Sequence, residues 1–166
     1  MWISSPANGG VANVRGVEID ARVPFKVASA GGATIELRTN LGRNWSRVEG
    51  VAGPDNRLGN QAPLTANLGL DLRLPQGRGA GTNFRFAGGW RARTSQSLVQ
   101  ETGVARELEA YATWPAAGGR LRLTVANLLQ STRLAGQRYD DGLQASTRLS
   151  SSAQRPVFRF QYEVRQ

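Results

Sequence analysis

The sequence predicts an all-β protein, an antiparallel up-and-down meander of about seven strands, and three observations point to it. Apolar and polar side chains alternate with a period of two in segment after segment, the spacing of an extended chain whose successive side chains point to opposite faces. No segment sets apolar residues three and four apart, as an amphipathic helix requires. The connections alternate in length, short after the first, third and fifth strands and long after the second, fourth and sixth. In a meander that rule places tight turns at one end of the sheet and large loops at the other.

The template is Gly119 to Leu129, where Leu121, Leu123 and Val125 share one face and Arg120, Arg122 and Thr124 the other. In chain order, the first strand sets Val17, Ile19, Ala21, Val23 and Phe25 against Glu18, Asp20, Arg22 and Pro24. A short turn, Lys26 to Gly32, leads to the second. There Ala33, Ile35, Leu37, Thr39, Leu41 and Trp45 oppose Thr34, Glu36, Arg38, Asn40 and Asn44. A loop from Val48 to Ala62 follows, with Gly-Pro-Asp-Asn at its middle, a turn-forming run. Leu64 to Leu74 is the third strand, and a glycine-rich turn, Pro75 to Thr82, separates it from the fourth, in which Phe84, Phe86, Gly88, Trp90 and Ala92 share a face. The polar loop Ser95 to Ala105 precedes a fifth strand, Glu107 to Trp114, and Pro115 to Gly118 turns into the template strand. Gln130 to Arg155 is expected to be the longest loop, and within it Leu143 to Leu149 is a candidate extension of neighbouring strands. Val157 to Gln166 closes the chain as a seventh strand, with Phe158, Phe160, Tyr162 and Val164 alternating with Arg159, Gln161, Glu163 and Arg165.

At 166 residues the chain fits one domain. Its 21 Lys+Arg against 12 Asp+Glu give a formal charge of +9, which taken alone suggests nucleic acid or an anionic membrane surface. The cations form no run, and all but Lys26 are arginines, mostly single residues inside alternating strands. Cysteine and histidine are absent. That removes disulfides, thiolate metal sites and the commonest general base, so neither a catalytic site nor a metal site is expected, and no cofactor. No apolar run approaches the ~20 residues of a membrane-spanning helix. The opening Met-Trp-Ile-Ser-Ser-Pro lacks the regions of a signal peptide.

Two architectures share such alternation. A soluble β-sandwich points its apolar face to a core, whereas a transmembrane barrel points it to lipid. The polar face here mixes both signs (Glu18, Asp20, Arg22, Glu36, Arg38, Asp71, Arg73, Glu107, Arg122, Glu163), as a hydrated lumen would. The apolar face places Phe25, Trp45, Phe84, Trp114 and Phe158 toward strand ends, as an aromatic girdle would. With the alternation of short turns and long loops, the pattern favours a partial transmembrane β-barrel.

Several stretches together resemble the C-terminal barrel portion of TonB-dependent outer-membrane receptors: Val14 to Arg22, Gly53 to Arg57 with Thr65 to Arg73, Arg120 to Leu129, and Phe158 to Tyr162. The resemblance implies a barrel of about 22 strands holding an N-terminal plug, and import of a scarce nutrient such as an iron–siderophore complex or cobalamin, driven by TonB. It makes residues 1–166 a single C-terminal part of such a receptor, inactive alone. Its implied partners are outer-membrane lipid, the remaining barrel and plug, and the TonB complex through an N-terminal segment, with a location in the bacterial outer membrane. The sequence departs from the family in its seven strands, in lacking the plug and TonB box, and in ending Val164-Arg165-Gln166 instead of on Phe or Trp. The first two departures imply a fragment or a gene truncated to an internal Met.

On this reading the polar face is lumen wall, and the long loops supply the ligand-binding candidates Asp55, Arg57, Arg133, Arg138, Tyr139, Asp140 and Asp141. Two alternatives stand beside it. One is a self-contained eight-stranded outer-membrane barrel with a structural or adhesive role, formed if Leu143 to Leu149 pairs as its own strand. The other, ranked last, is a soluble basic β-domain binding nucleic acid. That needs aromatics among arginines on one face, and here they fall mostly on opposite faces.

Overall fold

The computed structural model describes residues 10–27 and 32–164. The centre of the expected first turn, residues 28–31, and the last two residues of the expected seventh strand lie outside them. Among the described residues the chain forms β1 (Ala12–Val27), β2 (Ala33–Val48), β3 (Leu64–Arg73), β4 (Gly79–Ala87), β5 (Trp90–Arg93), β6 (Leu98–Thr102), β7 (Ala105–Ala116), β8 (Gly119–Ala126), β9 (Thr132–Asp140), β10 (Ala145–Ala153) and β11 (Val157–Val164). The only helical turn among them is a 3-10 turn, Pro75–Gly77. A seven-stranded antiparallel sheet has the order β1-β2-β3-β4-β7-β8-β11, and a four-stranded sheet the order β10-β9-β6-β5.

The seven strands of the main sheet are the seven expected, in meander order. Register confirms the face assignments. Ile19 pairs with Leu41, Leu41 with Ala66, Ala66 with Phe86, and Phe86 with Arg106. Leu121, Leu123 and Val125 stand opposite Tyr162, Phe160 and Phe158. Residues paired directly across an antiparallel sheet share a face, so the alternation of each strand sums to one apolar and one polar side.

The long connections are not bare loops. The expected loop Ser95 to Ala105 contains β6, and Gln130 to Arg155 contains the hairpin β9–β10, of which the Leu143 to Leu149 candidate is part. Their serine-, glutamine- and glycine-rich sequences concealed strands because neither face there is consistently apolar. The expected fourth strand breaks at Gly88-Gly89, so Trp90 and Ala92 belong to β5. A Cβ on Gly89 would come within 2.9 Å of the Thr102 carbonyl oxygen, so the two backbones approach too closely there for a side chain. Phe84 lies within β4, not at its end, and β4 starts at Gly79, inside the expected turn.

Connectivity explains the second sheet. It continues β4, β7, β8 and β11 as β5, β6, β9 and β10, in the same lateral order. Ala87 pairs with Ala105 and, in the same register, Trp90 with Thr102, so β4–β5 and β6–β7 form one long interrupted hairpin. The register slips only at β8–β9. Val125 pairs with Ala110, and continuing that register would set residue 133 against Thr102. Ala135 is found there. On the other side, Ala126 pairs with Val157, but Thr132, not residue 130, pairs with Ala153. Both neighbours report the same two extra residues, and a turn holds them. Gln130 N–H donates to Asn127 O at 3.0 Å, with positive φ at Asn127 (58°) and Gln130 (48°). Leu128 and Leu129 form a two-residue bulge, the larger relative of the common one-residue kind.

Deleting Leu128 and Leu129 should let β8 run into β9 without the offset and slow amide exchange at Ser131 and Thr132. Unchanged exchange there would mean that the offset is set elsewhere.

Candidate functional site

On the polar side of the main sheet two carboxylates are shielded from water although the face around them is open. Glu36 on β2 and Asp71 on β3, paired across the strands, are 6% and 5% exposed. On the apolar side Ile19 is 59%, Leu68 48% and Phe160 64% exposed. Arginines fold over the two carboxylates. Arg22 Nη2 lies 2.9 Å from Glu36 Oε2 and Arg73 Nη2 3.7 Å from the same oxygen. Arg38 pairs with Asp71 and reaches Glu36 Oε1 through Nε at 3.8 Å. The guanidinium groups are themselves more than half exposed, so water screens each pair and no single one contributes much to stability. Their importance is that a carboxylate shielded from water needs such compensation.

Tyr111 extends the network across β4. Its hydroxyl, on β7, donates to Asp71 on β3, over Gly81 on the intervening strand. A Cβ on Gly81 would lie 2.6 Å from Asp71 Oδ1, 2.7 Å from Tyr111 Cε1 and 2.8 Å from the Leu70 carbonyl oxygen. Only glycine leaves room for that reach. Arg122 on β8 stacks 3.9 Å from the Tyr111 ring centroid, and its Nε donates to the buried Thr124 hydroxyl at 3.3 Å. The wall thus runs unbroken from β1 to β8. Beside it, Asp20, Arg22, Arg38, Asn40, Asn67, Asn83 and Arg85 line a concavity of about 470 Å³ above Gly69, rich in amide and guanidinium donors.

Charge on this side is nearly balanced. Lys26 and seven arginines (22, 38, 73, 85, 120, 122 and 159) face Glu18, Asp20, Glu36, Asp71, Glu107, Glu109 and Glu163. The excess of positive charge therefore resides in the loops, the outer sheet and the rim.

The seven loop candidates fall in two groups. Asp55 and Arg57 lie in the 48–62 loop, which runs along the free edge of β5. Asp55 O accepts from Arg93 N at 2.7 Å, and its carboxylate pairs with Arg91 Nε at 3.2 Å. Arg57 donates to Gln61 O at 3.2 Å. Arg133, Arg138, Tyr139 and Asp140 lie on β9, with Asp141 in the turn after it. Arg133 pairs with Glu107, and Arg138 with Asp140 at 3.2 Å. Tyr139 donates to Asp141 Oδ2 at 3.1 Å. Asp55, Arg138 and Asp140 converge through Arg91 and Arg93, since the last four share or border a cavity of about 230 Å³ with Ser97 and Val99. Arg57, Arg133 and Asp141 stand apart and hold local structure. Sequence reasoning passed over Arg91 and Arg93 because they read as ordinary polar-face residues of the fourth strand. It likewise read Glu36, Asp71 and Tyr111 only as polar-face residues of a lumen wall whose charges pair with each other or with a plug, without singling out this cluster.

Asp141 organises the β9–β10 turn. Its Oδ1 accepts from Gln144 N at 2.7 Å and Leu143 N at 2.9 Å, which holds its carboxyl below its ordinary 3.8, with the Tyr139 hydroxyl adding to the effect. The same contact raises the Tyr139 phenol. Among the described residues no group of three or more acidic side chains is placed to hold a metal ion.

Fold and site together define an antiparallel meander dressed inside out, with apolar side chains exposed on one side and a charged, hydrogen-bonded wall on the other. The chain matches no protein-family model, and no curated protein or solved structure matches it.

Tyr111→Phe should lower stability by about 1–3 kcal/mol, the cost of removing a hydrogen bond to a shielded carboxylate, read as an earlier urea midpoint. Gly81→Ala should cost more, because backbone must move, and the double variant should cost less than the two added. At the hairpin turn the folded state holds the Asp141 carboxyl below its unfolded value. Its contribution is complete above about pH 4 and is lost as pH falls through the depressed value. Protection of the Leu143 and Gln144 amides should follow that profile and be low at every pH in Asp141→Ala.

Proposed function

We propose that the chain is the C-terminal part of an outer-membrane TonB-dependent transporter barrel, serving import of a scarce nutrient such as an iron–siderophore complex, without catalysis of its own. One observation carries the reading. Val17, Ile19, Leu68, Leu70, Phe158 and Phe160 stand exposed on one side, while on the other the carboxylates Glu36 and Asp71 are buried among arginines that are themselves exposed. In water the first arrangement exposes a large apolar surface, which soluble monomers avoid. Against lipid it is the favourable one, with the polar side turned to a hydrated lumen. Among the described residues no helix is long and apolar enough to cross a membrane. The strands of the main sheet, 8 to 16 residues long, bracket the ~9–11 residues of a spanning strand.

In this reading the charged wall faces the plug, the outer sheet with Asp55, Arg57 and the β9 residues stands outside the membrane and gates or contacts substrate, and lipid covers the apolar side. TonB acts through a segment elsewhere in the protein, and nucleic acid is no partner. Topology adds a requirement. With seven strands in a meander, β1 and β11 run in the same direction, so antiparallel closure needs an odd number of additional strands. A barrel of about 22 strands meets it. The eight-stranded alternative gains nothing from β10, which pairs with β9 in the outer sheet.

The deciding measurement is the mass of the native gene product in an outer-membrane fraction, detected with an antibody to this chain. A band several times 17.9 kDa is expected. A band at 17.9 kDa that shifts on boiling would favour the small barrel, and no membrane-associated band would overturn both. The isolated chain should need detergent to stay dispersed, so a monodisperse monomer in plain buffer would count against a lipid-facing surface.

A further inference from the structure

We infer that the outer sheet carries a binding cleft for a short acidic saccharide. A neutral ring stacks on Trp90, the amides of Asn60, Gln100 and Gln137 take its hydroxyls, and Arg148 takes the carboxylate of the next sugar. The cleft is built by β5, β6, β9, β10 and the 48–62 loop, so the inference goes beyond the transporter reading and does not rest on it.

Register lays the cleft out as two rows on one face of the sheet. Trp90 pairs with Thr102, Thr102 with Ala135 and Ala135 with Ser150. In the next row Ala92 pairs with Gln100, Gln100 with Gln137 and Gln137 with Arg148. The small side chains beyond Trp90 form a floor, and the two amides and the guanidinium rise beside it. The loop supplies the remaining wall. A Cβ on Gly59 would stand 3.5 Å from Gln100 Oε1 and 3.9 Å from Trp90 Cη2, so the loop backbone lies in contact with both. Asn60, at a φ of 57° that asparagine tolerates, lines the same cavity of about 340 Å³. The wall is fastened from elsewhere, by Leu58 N–H donating to Ser46 Oγ at 3.0 Å and Arg93 N–H to Asp55 O at 2.7 Å. Glu101 and Gly136 also border the cavity, but the Glu101 side chain lies on the opposite face, where a Cβ on Gly136 would come within 2.7 Å of its Oε1.

That volume falls within the roughly 300–1,000 Å³ of small-molecule sites. Among the described residues the side chains of Asn60, Gln100, Gln137 and Arg148 hydrogen-bond to no other group, although all four line one cavity. A side-chain amide both donates and accepts, and so does a hydroxyl, which suits three unengaged amides to a ring that carries several. The part-exposed indole completes the match. Its face is electron-rich, and one face of a sugar ring presents only C–H groups. Gln100, Gln137 and Arg148 stand on three adjacent strands and so span about 10 Å, room for two linked rings. At the far end the planar fork of Arg148 fits a carboxylate through two parallel hydrogen bonds. A nucleic acid strand is disfavoured, because it needs a basic groove tracking its phosphates and Arg148 is the one cation on this face of the cleft.

The test is a glycan array probed with the full chain, folded in lauryldimethylamine oxide, a detergent without a sugar headgroup. The array carries neutral di- and trisaccharides, the same lengths ending in a uronic acid, and oligouridylate. Retention of a uronate-bearing saccharide above its neutral counterpart is expected, with none of oligouridylate. Calorimetric titration with the retained saccharide then compares variants. Trp90→Ala should abolish binding and Trp90→Phe should weaken it. Gln137→Ala, at an exposed position, should weaken it roughly two- to tenfold, the effect of one neutral hydrogen bond. Arg148→Gln should remove the preference for the uronate. Arg155→Gln, of equal net charge, and Thr147→Ala, on the opposite face of β10, should bind as the native chain does. Circular dichroism reveals any misfolding of the Trp90 variants, and the exposed Gln137 and Arg148 keep the test open in that case. Retention of no saccharide, or undiminished binding in both Gln137→Ala and Arg148→Gln, would overturn the cleft. Preferential retention of oligouridylate would overturn its assignment to sugar. The transporter reading stands or falls separately, on the mass of the native product in the outer-membrane fraction.

Discussion

Glu36 meets Asp71 because β2 and β3 pair with Ile35 on Leu72 and Leu37 on Leu70. A slip of one residue on either strand would carry one of the carboxylates to the apolar side and a leucine or isoleucine to the charged wall. The register of each pair therefore fixes the dressing of the whole sheet. Six interstrand pairings in succession keep the same parity, so the charged wall can run across six strands without a break. Where the parity must survive an irregularity, it does. The bulge between β8 and β9 inserts two residues, not one, so the alternation resumes in step on the far side.

The main sheet was legible from period-two alternation, and for a physical reason. When one side of a strand is apolar and the other polar along most of its length, sequence and orientation are redundant, and pairs such as Ile19 opposite Leu41 or Leu123 opposite Phe160 follow once the order of strands is known. The outer strands lacked that redundancy. In β10 every residue is exposed and five of its nine are serine or threonine, and β6 is a five-residue strand between polar turns. They are strands because they prolong β11 and β7, so backbone pairing inherited from neighbours decides their conformation. That information lies in the partner, not in the segment. The candidate loop residues were found as charges at the right end of the sheet. Their grouping depended on which strands the hairpins prolong, and so Arg91 and Arg93 went unnoticed beside Asp55.

The proposed transporter reading makes sense of two facts that sit badly with a water-soluble domain. The first is that large apolar side chains stand exposed on one side of the sheet while Glu36 and Asp71 are buried among arginines on the other. The second is the distribution of charge, which balances on the wall and accumulates as arginine at the rim. A lumen lined by matched ions is hydrated yet carries little net field, so passage of a charged solute meets no steep electrostatic barrier. An arginine-rich rim facing outward instead concentrates anions at the entrance and along the bilayer surface.

The contact between Tyr111 and Asp71 joins two strands that are not neighbours. It spans β3 and β7 with β4 between them, so it exists only where β4 is paired with both neighbours. The hydroxyl bond therefore reports on three strands at once. A chain in which that bond is present has its central strands in order, whatever the state of its edges.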